Sequence, residues 1–378
     1  VSTIEAMPPI AAPKQPSQLA PPRWVTLDAM RLAAAYGIIW LHAVRSPALE
    51  ASRSLGRFAV PFFVFSAVFL TFEGLRRHPG RMFSEYARQR FVRIYLPFLA
   101  WSGIYLIFKG IKWMLLPDLP NDLPGISILW AGSFYHLWFM PFILLVGLAA
   151  FGVGRAIEGK PRLALAVCLS AIALGFLLAV PPAIDFAYSA DQYVQLVLTT
   201  LPAVCWALAL AVAYGYPRAK RLESRAATVL RTSKIVKFLT KSSDQRLRVL
   251  AWVRKHRFGW RPCRTLVGLV ILAISTAWLW RYGYDSLAAS LAGLGAMLVA
   301  LAPGSNRWLL SAARLGPLAY GIYLSHFLFI KILEAAAAKL GLGISWQLDV
   351  CVFLASAVPS TLLAWWLSRW RPTRWLAV

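Results

Sequence analysis

Asp28, Arg31 and His42 fall within one otherwise apolar run, Trp24 to Arg45, WVTLDAMRLAAAYGIIWLHAVR. An ionised group at the centre of a bilayer costs about 2.5–3.5 kcal/mol on insertion scales, so such residues face protein or a water-filled cavity. Arg31 and His42 are eleven residues apart. At about 1.5 Å per residue that is roughly 16 Å along a helix axis, and at about 100° per residue the two differ by only about 20° around it. Asp28, Arg31, Ala35, Ile38 and His42 are therefore expected on one face. A guanidinium fork suits phosphate or carboxylate, and an imidazole suits the removal of a hydroxyl proton near neutral pH. The spacing fits an elongated anionic molecule whose reactive end reaches His42. Asp28, grouped with His42 as a catalytic candidate, stands one turn from Arg31 and orients it.

Further candidates follow along the chain. Arg88, Arg90 and Arg93, in RQRFVRIYLPFL, form a cationic mouth: three topology anchors or, with Arg31, an anion clamp. His136, in FYHLWFMPF, is expected at the depth of His42, where the two would share a polar chamber. In GPLAYGIYLSHFLFIKILEAAAAKL, Tyr320, Tyr323, Lys331 and Glu334 fall within about 80° of one helix face, with His326 further round. Lys331 and Glu334 read equally as a self-satisfying pair three residues apart or as part of that chamber. Cys168, Cys205, Cys263 and Cys351 form no CxxC pair and no metal-ligand spacing with the five histidines. Neither disulfide nor metal is inferred, and buried structural cysteines are expected. Asp185 and Asp191 read as solvated loop residues and His256 as incidental.

The elements that must position these groups are membrane spans. The 378 residues are 59% hydrophobic and 15% charged, against about 45–50% and about 25% in soluble domains. Applying a length of about 20 residues predicts ten spans, at 25–44, 57–74, 91–111, 134–153, 163–181, 193–216, 265–281, 286–302, 317–338 and 347–368. Pro61 predicts a kink in the second. With both termini inside, 31 Lys and Arg fall on the cytoplasmic side and 7 on the other, which orients Arg31 inward and His42 outward. The net charge of +25 follows from that bias and does not point to nucleic acid.

The expected organisation is a Pro-rich disordered tail at 1–23 without a signal peptide, a membrane core at 24–216, a basic cytoplasmic loop at 217–264, a second core at 265–370 and a tail at 371–378. The loop carries fifteen basic residues against Glu223 and Asp244, a composition suited to anionic lipid headgroups. No internal repeat is evident, which weighs against an inverted-repeat transporter. These residues alone leave two readings: acyl transfer from a cytoplasmic coenzyme-linked donor, and transport of a glycan or lipid-glycan along the same charges. A scaffold for a polysaccharide assembly, resting on the basic loop, leaves the polar groups of the first span unexplained.

The run LDAMRLAAAYGIIWLH resembles the first helix of the acyltransferase type 3 family, with its arginine and a histidine some ten residues on. PFFVFSAVFL, RQRFVRIYLPFL, FYHLWFMPF and LGPLAYGIYLSHF resemble that family's later landmarks, in order, across residues 24–327. Leu32 and Ala67 stand where the family has glycine, a departure that would tighten a donor channel. The resemblance implies an all-α polytopic enzyme of the bacterial inner membrane. It would transfer an acetyl or other short acyl group from acyl-CoA to a hydroxyl of an extracytoplasmic glycan or lipid-linked saccharide. His42 would be the base, and Arg31, Arg88 and Arg90, with Arg93 beside them, would contact the donor. No metal is implied.

Overall fold

In an apolar solvent every backbone group must be satisfied within its own segment, so apolar runs of this length fold as helices. The computed structural model describes residues 24–115, 125–180, 192–215, 260–304 and 306–377. Among them no strand occurs. The helices are α1 Val25–Ala43, α2 Ala59–Arg77, α3 Phe83–Arg90, α4 Leu96–Leu115, α5 Ile128–Ala131, α6 Phe139–Ala156 and α7 Pro161–Leu177. They continue as α8 Gln192–Gly215, α9 Trp260–Tyr282, α10 Ser286–Ala300, α11 Arg307–Leu315, α12 Ala319–Lys339 and α13 Trp346–Arg369. The 1–23 tail, Asp185, Asp191, His256 and most of the basic loop lie outside the described residues; the end of that loop, from Trp260, already belongs to α9.

Each of the ten expected segments contains a helix. Seven stretches are long and apolar enough to cross a membrane, and the chain is an all-helical polytopic membrane protein. Three expected spans fall outside the seven. Two are short, α7 with 17 residues and α10 with 15, the latter about 22 Å long against a hydrocarbon core of about 30 Å. The third is α1, whose Asp28, Arg31 and His42 lower its apolarity.

That helix, α1, is the centre of the bundle. It packs against α2, α10, α11, α12, α13 and the 3₁₀ segments Pro47–Gly56 and Gly316–Leu318. Ala34, Ala35, Ile38 and Ile39 have almost no exposed surface. Between the two polar ends, the face that Ala35 and Ile38 share with Arg31 and His42 is closed by packed side chains. At the Arg31 end the chain before α12 comes so near that a Cβ on Gly316 would lie 2.5 Å from the Asp28 carbonyl oxygen.

Three local features depart from the sequence reading. Pro61 does not kink a span, because α2 starts at Ala59 and a first-turn proline lacks only an N–H that would be unpaired anyway. Phe91–Tyr95 is a π turn joining α3 to α4, with the Leu96 N–H bonded to the Phe91 carbonyl. Pro97, which cannot donate and whose ring crowds the preceding turn, follows it directly. The cysteines are free thiols, two half-buried and two exposed. Cys351 is exposed although it lies within an apolar helix, because such a helix turns apolar side chains to lipid as well as to protein.

The segment Pro47–Gly56 folds back along α1. The Trp40 indole donates to the Ser52 carbonyl at 3.0 Å, and a Cβ on Gly56 would lie 2.2 Å from the Gly37 carbonyl oxygen. Only glycine permits that contact without moving backbone. Gly56→Val is expected to destabilise the protein by about 1–3 kcal/mol, the usual cost of overpacking. Thermal unfolding of the detergent-solubilised variant checks this, and an unchanged midpoint would contradict the contact.

Candidate active site

His42 lies in the last turn of α1, where the chain leaves the helix. The corner that follows is held from across the bundle: the Asp349 carboxylate, buried in the first turn of α13, accepts from the Ser46 N–H at 2.9 Å and from its hydroxyl at 2.5 Å. A carboxylate accepting two hydrogen bonds is a strong tether. It directs Pro47–Gly56 over the end of α1 and brings Glu50 and Arg53 above His42.

The result is a cavity of about 400 Å³ lined by His42, Arg45, Glu50, Arg53, Tyr135 and Lys331, together with Leu41, Val44, Phe327 and Glu334. Its polar wall is cross-linked. Glu334 is shared between Arg45, at 2.5 Å, and Lys331, at 2.9 Å; Glu50 takes Arg53 at 2.9 Å. The Lys331 ammonium also stands 4.9 Å from the centre of the Phe327 ring. Three cations against two carboxylates leave the wall with an excess positive charge.

His42 Nδ1 is 2.7 Å from the Tyr135 hydroxyl. Tyr135 comes from the 3₁₀ turn Tyr135–Trp138 that precedes α6. Gly132, with φ 79°, turns the chain into it. Behind His42, the His326 ring lies nearly parallel at a centroid distance of 5.6 Å, and His136 stands edge-on to His326 at 5.3 Å. His326 Nδ1 meets the Tyr323 carbonyl at 2.6 Å. A carbonyl only accepts, so Nδ1 carries the proton and neutral His326 keeps its lone pair on Nε2. That atom is buried without a hydrogen-bond partner among the described residues. The Tyr105 hydroxyl donates to the Leu324 carbonyl at 2.8 Å and accepts from the Leu328 N–H at 3.1 Å. It thus stands on the backbone pair that one helical hydrogen bond of α12 joins, around His326 and Phe327.

The expected outer chamber is thereby divided. Lys331 and Glu334 line the cavity with His42, so the ion pair and the chamber wall are the same groups. His326 and His136 form a buried layer behind His42, with 0% and 2% exposure. Tyr323 donates to the His136 carbonyl and Tyr320 to that of Ile94, so both phenols brace the bundle and neither lines the cavity. Sequence reasoning missed Tyr135, Arg45, Glu50 and Arg53. Tyr135, adjacent to the histidine singled out, is the residue that turns toward His42. Glu50 and Arg53, three residues apart in a presumed loop, carried the spacing of a helical ion pair.

At the other end of α1, Arg31 NH1 is 3.7 Å from Asp28 Oδ1, which fits an orienting carboxylate. Arg90 lies within electrostatic reach of Arg31. Its Nε donates to the Tyr86 hydroxyl at 3.0 Å, and that hydroxyl is 2.8 Å from Thr71 Oγ1. The Tyr86 ring stacks on Phe151 at 4.4 Å, so Arg90 is presented by a braced phenol. Arg88 and Arg93 are exposed. Of the four cations expected at this mouth, the structure gathers Arg31 and Arg90.

Two polar ends on one central helix, one arginine-rich and one holding an imidazole in an ionic cavity, are what transfer from an anionic donor to a hydroxyl acceptor would use. Among the described residues no group of three or more His, Cys, Asp or Glu side chains is placed to hold a metal ion. A search of curated proteins and a search of solved structures each return no match. A family model described as an acyltransferase domain matches residues 24–369, nearly the whole chain and both ends of α1. On that match the chain belongs to the acyltransferase type 3 family and is a membrane acyltransferase.

Proposed function

We propose that the protein transfers an acetyl or other short acyl group from acyl-CoA to a hydroxyl of an extracytoplasmic glycan or lipid-linked saccharide, with His42 as general base. The observation that carries the reading is the placement of His42, half-buried in the wall of an ionic cavity with Nδ1 held by Tyr135. For Nε2 to accept a proton, Nδ1 must keep its own and donate it to the Tyr135 oxygen, a role the hydroxyl can fill because it accepts as well as donates. Nε2 then takes the acceptor's hydroxyl proton as that oxygen attacks the thioester carbonyl. The carbon–sulfur bond breaks, and the departing thiolate is protonated by the imidazolium, which restores neutral His42.

The donor's phosphates are assigned to Arg31 and Arg90, with Asp28 orienting the first and Arg88 and Arg93 attracting the anion from outside. Lys331 and Glu334 are assigned to the acceptor, with Arg45 and Arg53 in the same wall. The charge bias of 31 against 7 supports cytoplasmic termini, the Arg31 end facing the cytoplasm and His42 facing out, in the inner membrane of a bacterium. Anionic lipids are the expected partners of the basic 217–264 segment.

Incubation of purified protein with labelled acetyl-CoA and candidate glycans tests the reading. His42→Ala is expected to lower acyl transfer by at least about 10²-fold, the scale of lost general-base catalysis, while the protein remains folded in the membrane. Retained transfer would exclude His42 as the base, and glycan movement without thioester consumption would favour export. Tyr135→Phe is expected to reduce kcat about tenfold, the worth of one hydrogen bond to a charged group, with KM for acetyl-CoA little changed. A change confined to KM would assign Tyr135 to binding instead.

A further inference from the structure

A second cavity, of about 300 Å³, lies at the start of α1, between the end of α8, the first turns of α9 and the loop after α10. Trp24, Tyr214, Arg264 and the Leu301–Gly304 loop line it, and among the described residues no carboxylate does. It is held in shape from both sides. Thr26 Oγ1 donates to the Ala302 carbonyl at 2.8 Å, and a Cβ on Gly304 would lie 2.5 Å from that hydroxyl oxygen. The loop is thus pinned to the first turn of α1.

The polar groups of this cavity are donors with work undone. Arg264 gives one terminal nitrogen to the Leu301 carbonyl at 2.5 Å, but its Nε is buried without a hydrogen-bond partner among the described residues. The Trp24 indole nitrogen is in the same condition. Arg264 makes no ion pair among the described residues; its charge faces the Tyr214 ring at 5.9 Å, with the Arg76 guanidinium 5.8 Å from the same ring. Glu73, the nearest carboxylate on α2, already serves Arg76 and Arg77. Buried N–H groups without acceptors are costly, and an anion with several oxygens relieves both donors at once. Tetrahedral phosphate does so best, since a guanidinium fork and an indole N–H approach it from different sides.

Trp24 precedes Arg31 by seven residues, about 10 Å along the axis, so this cavity lies beyond Arg31 and farthest from His42, near the level of a membrane surface. We propose that it binds a phosphate group carried at that surface, with Arg264 and Trp24 donating to its oxygens. Two molecules carry such a group there: an anionic phospholipid and the nucleotide portion of an acyl-CoA. The site is separate from the His42 cavity and requires no turnover to be occupied.

The test is binding to full-length protein in a phosphate-free maltoside detergent, measured by native mass spectrometry. Phosphatidylglycerol, coenzyme A, dephospho-coenzyme A and, as a phosphate-free control, diacylglycerol are titrated in parallel. Arg264→Gln is expected to weaken one phosphate ligand about tenfold and Trp24→Phe, which keeps the ring and removes the N–H, about threefold, with diacylglycerol unaffected. A loss confined to phosphatidylglycerol identifies a lipid site. A loss confined to coenzyme A identifies a nucleotide site, and its 3′-phosphate if dephospho-coenzyme A binds wild type and variants alike. Equal affinity of wild type and both variants for every phosphate ligand overturns the proposal. Should Arg264→Gln not fold, Trp24→Phe and Arg264→Lys carry the comparison. Because the readout is binding alone, the result is independent of whether His42 catalyses acyl transfer.

Discussion

A charged or polar side chain in a membrane helix must find its partners inside the protein, and α1 carries three such groups on nineteen residues. That constraint accounts for the bundle's plan. The helix that carries these three groups is enclosed by seven other elements, whereas α9, rich in apolar side chains, leaves many of them exposed. Partners converge at the two ends of α1: Asp28 beside Arg31, and Tyr135 with the His326 layer around His42. Between those ends Leu32, Ala34, Ala35, Ile38 and Ile39 are buried, and Tyr36 and Trp40 hydrogen-bond to Thr361 and Ser52.

The two ends differ in how they are built. At Arg31 the cations come from helices, and one of them is aimed by stacked aromatic rings. At His42 the cavity depends on an irregular piece of chain, Pro47–Gly56, tied down by a single buried carboxylate. Asp349 touches no part of the cavity, yet it fixes the corner from which Glu50 and Arg53 are presented. The acyltransferase assignment from the family match and the placement of His42 meet at this point.

Much of the helical plan was legible because apolar runs in a membrane protein have few alternatives. The common face of Asp28, Arg31 and His42 was equally legible, since it follows from helical pitch alone. What lay between helices was not. A 3₁₀ segment folded back onto α1 has no hydropathy signature, so Glu50 and Arg53 read as loop charges. Depth alone selected His136 where Tyr135 faces the cavity, and the pitch argument put Tyr320 and Tyr323 with Lys331 where His326 lies beside His42. Cys351 shows the remaining ambiguity, since hydropathy separates membrane from water but not a lipid-facing position from a protein-facing one.

The packed stretch of α1 at Ala34, Ala35 and Ile38 bears on the energetics of the cell as much as on catalysis. A protein open from the Arg31 end to the His42 end would be a leak for protons and small ions, and would run down the gradients the membrane exists to hold. With these side chains in contact with their neighbours, the two ends are insulated from each other. In the proposed reaction the acyl-bearing arm must part that seam as it enters and fill it while it stays, so the donor itself serves as the stopper.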